Sequence, residues 1–149
     1  MMTADPADLA GLAPIPPGDC ERWSPAALAE AAFIAEALGL DLDAVVGATT
    51  VPAGGLDSLT LHTIGALIGL HRALVVVLGA EQGREWLHRR NSGIAFGGDA
   101  PAAIMQRDGR RGLLATRAVL DAMRGGTFPA MEVGEPTPVR LAPVRLVIA

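Results

Sequence analysis

The chain has a single cysteine, Cys20, and neither lysine nor tyrosine. One thiol cannot close an internal disulfide or supply the thiolates of a zinc site, so neither kind of staple holds this fold. Aromatic residues are nearly as scarce, being limited to Trp23, Trp86, Phe33, Phe96 and Phe128. The core must therefore be aliphatic, built from Leu, Val, Ile and Ala. Every positive charge is an arginine, a bias that a G+C-rich coding sequence accounts for without reference to function.

Chemistry-bearing clusters are missing too. His62 and His71 lie nine residues apart on one expected helix. That is about two and a half turns, so they fall on opposite faces and cannot ligate one ion. His71 sits in an apolar stripe and reads as a core histidine, while His88 lies beside Trp86 and could reach an interface. Glu81 and Glu85, one turn apart, are ordinary surface carboxylates. No Ser-His-Asp or Cys-His arrangement occurs in a recognisable setting, and no phosphate-binding loop is present. We therefore assign no catalytic residue, no metal ligand and no cofactor, and expect a protein that is not an enzyme.

With 149 residues, half of them hydrophobic, the chain suffices for one domain with extensions. Its first thirty residues combine acids and prolines, unlike the basic start and apolar run of a secretory signal. The most apolar segment, Leu59 to Leu78, is interrupted by His62, His71 and Arg72. It reads as a buried helix rather than a membrane span. A cytoplasmic location is the expectation.

Charge is distributed unevenly. Residues 1–71 contain nine acids and one arginine, Arg22. Residues 84–124 contain eight arginines and four acids, Glu85, Asp99, Asp108 and Asp121. The two arginine doublets, Arg89-Arg90 and Arg110-Arg111, stand out. Arg89-Arg90 fits the negative C-terminal end of a helix.

Pro6, Pro14, Pro16 and Pro17 mark residues 1–22 as a mobile leader. Ser24-Pro25 predicts a helix start, with Ser as N-cap and Pro at the first helical position, and Gly39 predicts the stop. A short helix follows over Leu42–Val46, capped by Asp41 and closed by Gly47. Asp57 or Ser58 caps a long third helix, in which Ile64, Leu67, Ile68, His71, Leu74, Val75 and Leu78 form one apolar stripe up to Gly79. A shorter helix covers residues 80–89. Residues 91–98 form a loop, Asp99 caps a helix through Pro101, Ile104 and Met105, and a last helix runs from Arg110 to Arg124 before Gly125-Gly126. The end of the chain is proline-rich and contains a near-repeat, Pro138-Val139-Arg140-Leu141 and Pro143-Val144-Arg145-Leu146. It is expected to be extended, with a possible strand over Val144–Ile148.

The spacing of Trp86-Leu87, Asn91, Gly97-Gly98, Pro101, Gly109, and then Leu120, Met123 and Gly126 at three-residue steps resembles the toxin-binding domain of the Xre/MbcA/ParS antitoxins. The resemblance spans residues 28–126 and is most specific over 85–126. Two departures are mild: Arg90 stands where the family commonly has Pro, and Phe96 where it has an aliphatic residue. The matched residues are mostly structural. Leu28 to Leu61 resembles a helix-turn-helix, with which many family members bind DNA. Here no positive residue occurs between Arg22 and Arg72, while Glu30, Glu36, Asp41, Asp43 and Asp57 do. A recognition helix needs Arg or Lys for phosphates and base edges, so DNA binding is expected to be weak or lost.

These readings combine into an all-α protein: a leader (1–22), a helix-turn-helix-like helical region (23–79), a toxin-binding module (80–126) and an extended C-terminal tail (127–149). The resemblance implies a type II antitoxin whose partner is a RES-domain toxin that depletes NAD, and self-association into homo-oligomers and hetero-oligomeric complexes. Neutralisation would be steric, the last helix and tail covering the NAD cleft. Expected contact residues are Arg110, Arg111 and Arg117, the tail arginines Arg140 and Arg145, and the apolar anchors Val139, Leu141, Val144 and Leu146. The alternative is a helix-turn-helix DNA-binding (auto)regulator.

Overall fold

The computed structural model describes residues 11–125. The expectations for residues 1–10, for Gly126, for the contact residues Val139 to Leu146 and for a strand over Val144–Ile148 lie outside the described residues. Among the described residues there are six helices and no strand, so the fold is all-α: α1 (Pro17–Leu38), α2 (Leu42–Val46), α3 (Ser58–Leu78), α4 (Ala80–His88), α5 (Pro101–Asp108) and α6 (Arg110–Arg124).

The third helix organises the rest. Asp57 caps it, its carboxylate accepting the Thr60 N–H at 2.7 Å. It is 21 residues long with a mean hydropathy of 1.8 over its most apolar stretch, long and apolar enough by those measures to cross a membrane. Here α1, α4 and α6 pack against it, and Ile64, Leu67, Leu70 and Leu74 are almost wholly buried. Each such side chain contributes about 1.5–3 kcal/mol of transfer free energy. The buried surface is wider than the single stripe expected: Leu61, Leu70 and Ala73 join it, while Val75 is exposed. A helix covered by three neighbours buries more than one face, so one periodicity cannot describe it. His71 is half-buried at the edge of this surface.

Helix α1 starts at Pro17, about two turns before the predicted Ser24-Pro25. The last part of the expected leader is thus helical, and just before it the Ile15 N–H donates to Ser58 Oγ at 2.9 Å. Further back, His62 Nε2 donates to the Ala13 carbonyl at 2.8 Å. Pro17 takes the N-terminal role that the sequence suggested for Pro25, which lies inside the helix. Ser24 is not a cap. It is fully buried, donating through Oγ to the Cys20 carbonyl one turn back and accepting the Leu56 N–H at 2.8 Å. This tertiary tie explains why a helix passes through a Ser-Pro pair: local propensity yields to a buried cross-link between α1 and the segment preceding α3.

At its other end, α1 closes on Gly39 in the left-handed conformation, with Leu40 N–H donating to Ala35 at 2.8 Å and Gly39 N–H to Glu36 at 3.2 Å. The next two carbonyls are satisfied from α4. Arg84 Nη1 donates to Ala37 at 3.2 Å and His88 Nε2 to Leu38 at 2.7 Å. Helix α2 follows after residues 39–41, capped by Asp41 and closed by Gly47 as expected. Its connection to α3, residues 47–57, is well beyond the three or four residues of a helix-turn-helix turn.

Helices α5 and α6 meet at Gly112. A Cβ there would lie 2.8 Å from the Ile104 carbonyl carbon and 2.9 Å from Met105 Cα. Gly112→Ala should therefore destabilise the protein by about 1–3 kcal/mol, although in an unhindered helix the same change stabilises by about 0.5–1 kcal/mol. Urea unfolding measures the sign; a gain in stability would refute the close packing of α5 on α6.

Candidate functional site

The residues that carried the resemblance fall on α4, α5, α6 and the loop between α4 and α5. Leu87, at the end of α4, is fully buried. Its neighbour Trp86 is half-buried and meets Phe96 edge to face, with ring centroids 5.8 Å apart and planes at 84°. That geometry places the positive ring edge against a negative face. Phe96 is almost wholly buried, so the aromatic that departs from the family pattern anchors the loop to α4.

Residues 91–99 close on themselves. Asn91 accepts the Gly93 N–H through its side chain at 2.9 Å and the Gly98 N–H through its carbonyl at 2.9 Å, and its own N–H donates to Asp99 at 3.2 Å. The chain can turn back because Gly97 and Gly98 have φ of 57° and 93°, which side chains strongly disfavour. The tip of this loop presents Ile94, 66% exposed. Asp99 does not cap α5 as expected. Ala100 occupies the cap position without a side-chain bond, and Pro101 at the first helical position has no N–H to satisfy. The Asp99 carboxylate instead pairs with Arg107 Nη1 at 3.3 Å. Arg107 also bonds Asp108, and these bonds and charges hold its guanidinium above its usual range, Asp108 contributing most.

Gly109 joins α5 to α6 with φ 59° and ψ −127°. Beyond it, Gly112, Leu113, Thr116 and Leu120 are buried, and Met123 packs on the edge of the core. Thus Leu87, Pro101 and Leu120 fill the interior, Trp86 and Met123 line it, and Asn91, Gly97, Gly98 and Gly109 shape the turns.

The three arginines proposed for contact within the described residues are not one cluster. Arg117 bonds both Asp121 oxygens through Nε at 3.1 Å, and its guanidinium lies over Gly69 of α3, where even a methyl group would overlap it. It is half-buried and helps join α6 to α3. Arg110, half-buried, and Arg111, exposed, stand at the start of α6. Both line an open cleft of about 850 Å³ with residues 44–47, Leu59, Thr60 and Thr63, the α5–α6 junction, and Gly11 and Leu12. Sequence reasoning missed this cleft because it joins four distant stretches. It also missed the reach of Arg84 and His88 to α1, which occupies the His88 imidazole with a structural bond. The signal available was a basic pair at helical i,i+4 spacing. Among the described residues no three His, Cys, Asp or Glu side chains come together as metal ligands would.

Replacing Phe96 by Ala should cost about 3–5 kcal/mol and release the loop, shifting Trp86 emission to the red in thermal unfolding followed by fluorescence. An unchanged melting temperature would mean that the Trp86–Phe96 contact does not hold the loop.

Residues 73–126 match the family model described as the antitoxin Xre/MbcA/ParS C-terminal toxin-binding domain. The match begins in the last turns of α3 and takes in α4, α5 and α6. No curated protein and no solved structure matches the chain. The matched segment contains the Trp86–Phe96 contact, the closed loop and the α5–α6 packing. Over these residues the chain is therefore similar to the toxin-binding domain of the Xre/MbcA/ParS antitoxins.

Proposed function

We propose that the protein is the antitoxin of a type II toxin–antitoxin pair and that it neutralises a RES-domain toxin, an enzyme that depletes NAD, by occupying its active-site cleft. The observation that carries this reading is the match to a toxin-binding domain over residues 73–126, where α4 and α6 pack on α3 and α5 packs on α4 and α6. Such a protein acts by occupying a surface, not by chemistry, and needs no catalytic group of its own. It works in the cytoplasm, self-associates, and forms a hetero-oligomer with the toxin.

The blocking element is the end of α6 together with residues 127–149. Val139, Leu141, Val144 and Leu146 supply apolar anchors, and Arg140 and Arg145 meet acidic or polar groups at the cleft. A segment that orders on binding gives up conformational entropy but can fill a deep site. DNA-binding regulation is the weaker reading. Supporting its rejection are the lack of any lysine or arginine between Arg22 and Arg72, the brevity of α2, and the long connection after it.

Deleting residues 127–149 should abolish protection of cells co-expressing the RES-like product of the neighbouring gene, while the circular dichroism of the helical domain persists. Full protection by the truncated chain, with cellular NAD maintained, would refute the blocking role of the tail. In a gel shift on its own promoter at physiological ionic strength, the free protein should give no specific complex. A specific shift that survives competitor DNA would restore the regulator reading.

A further inference from the structure

Helix α1 carries a second stripe besides the one it buries. Its core side includes Leu28, Ile34 and Leu38. On its outer side Trp23, Ala26, Glu30, Phe33 and Ala37 are all exposed and recur at alternating steps of three and four. That is the spacing of a seam between two paired helices. Trp23 is 46% exposed and Phe33 68%, whereas Trp86 and Phe96 pack on each other. In a chain with few aromatics, two large rings are thus held on one outward seam.

Charge is placed symmetrically about this seam. Glu30, in its middle, forms no ion pair among the described residues. At its C-terminal end stands the exposed Arg84 of α4, whose Nη1 donates to the Ala37 carbonyl at 3.2 Å. That bond fixes the guanidinium beside Ala37 without neutralising it, and Arg84 forms no ion pair either. Glu30 and Ala37 are about 10.5 Å apart along the helix, and Phe33 lies near the midpoint. The seam therefore has an aromatic centre, an acid about 5 Å to one side and a base about 5 Å to the other. A partner surface of one charge would be drawn to one arm and repelled by the other. A second copy, turned about a two-fold axis at Phe33, matches both arms at once, because the axis exchanges the two ends of the seam.

We infer that the outer face of α1 is a self-association surface on which two copies of the chain pair antiparallel. Glu30 of each copy meets Arg84 of the other, and the two Phe33 rings pack at the axis. The apolar contact supplies most of the attraction, and the ion pairs set the orientation. A seam about two heptads long buries little area, so the dimer is weak and concentration-dependent. This pairing rests on the self-association included in the antitoxin reading above and gives it a surface. Its test contains no toxin, so its failure leaves toxin binding to be decided separately.

Sedimentation velocity of the full-length protein, from micromolar to near-millimolar concentration, should show a monomer–dimer equilibrium. Phe33→Glu should weaken it by about tenfold or more, and Glu30→Arg and Arg84→Glu each severalfold, by setting like charges together. Mixed in equal amounts, Glu30→Arg and Arg84→Glu should associate with each other more tightly than either does with itself, since both contacts of the mixed pair are then Arg–Glu. A purely structural role for either residue gives no such rescue. Because Arg84→Glu also removes a bond to α1, a second measurement avoids that residue. Under mild oxidation Phe33→Cys should cross-link two copies, and Ala32→Cys, exposed but off the seam, should not. Wild type that remains monomeric throughout overturns the pairing, as does an undiminished dimer in Phe33→Glu. Equal cross-linking at positions 32 and 33, or well-folded mixed variants that do not recover association, overturns the two-fold arrangement.

Discussion

An apolar helix of 21 residues with one charge, Arg72, is poorly tolerated in water, and covering α3 dictates where α1, α4 and α6 go. With no disulfide and few aromatics, the burial of Ile64, Leu67, Leu70 and Leu74 is the main source of cohesion. Coverage weakens toward the C-terminal end of α3, where Val75 and Val76 face outward, Val76 at 71% exposure. The same helix belongs to both parts of the chain. Its first turns pair with α1 and the residues before it, and its last turns open the toxin-binding domain. That domain is consequently not a separable bead: its first helical turns are the continuation of the core.

Polar ties fix how the helices around α3 are oriented. Ser24 joins α1 to Leu56, and Arg84 and His88 carry α4 to the open carbonyls of α1. Arg117, aligned by Asp121 and lodged over Gly69, joins α6 to α3. Hydrophobic contact is tolerant of sliding; hydrogen bonds to defined atoms are not. The two kinds of interaction divide the work, burial supplying cohesion and directional bonds supplying register. A single glycine at 69 or 112 admits a neighbour where any side chain would hold it off.

Local signals were legible in the sequence where they acted alone. Asp41 and Gly47 bound α2, Asp57 caps α3, and α6 runs from Arg110 to Arg124, each as the residue types indicate. The spacing of Trp86, Asn91, Gly109 and Leu120 was enough to identify the toxin-binding domain. Ser24-Pro25 misled because the serine serves a partner thirty-two residues away, a demand no local pattern expresses. Asp99 misled for a similar reason, since Arg107 competes for its carboxylate. The cleft depends on four stretches being folded together, and Arg110, Arg111 and Arg117 look equivalent in sequence. Only packing separates Arg117, which joins two helices, from the pair at the start of α6.

The closed loop over residues 91–99 bears on how a partner can read this surface. Its N–H groups at Asn91, Gly93, Phe96, Gly97, Gly98 and Asp99 and its carbonyls at Asn91, Gly93, Phe96 and Asp99 are engaged within the loop itself. Those groups are not available for β-addition, which gains affinity from main-chain pairing with little regard to sequence. A partner that met this loop would find the exposed Ile94 side chain displayed on that self-bonded backbone. Substitution of that side chain then proceeds on a frame whose shape is set by its own hydrogen bonds.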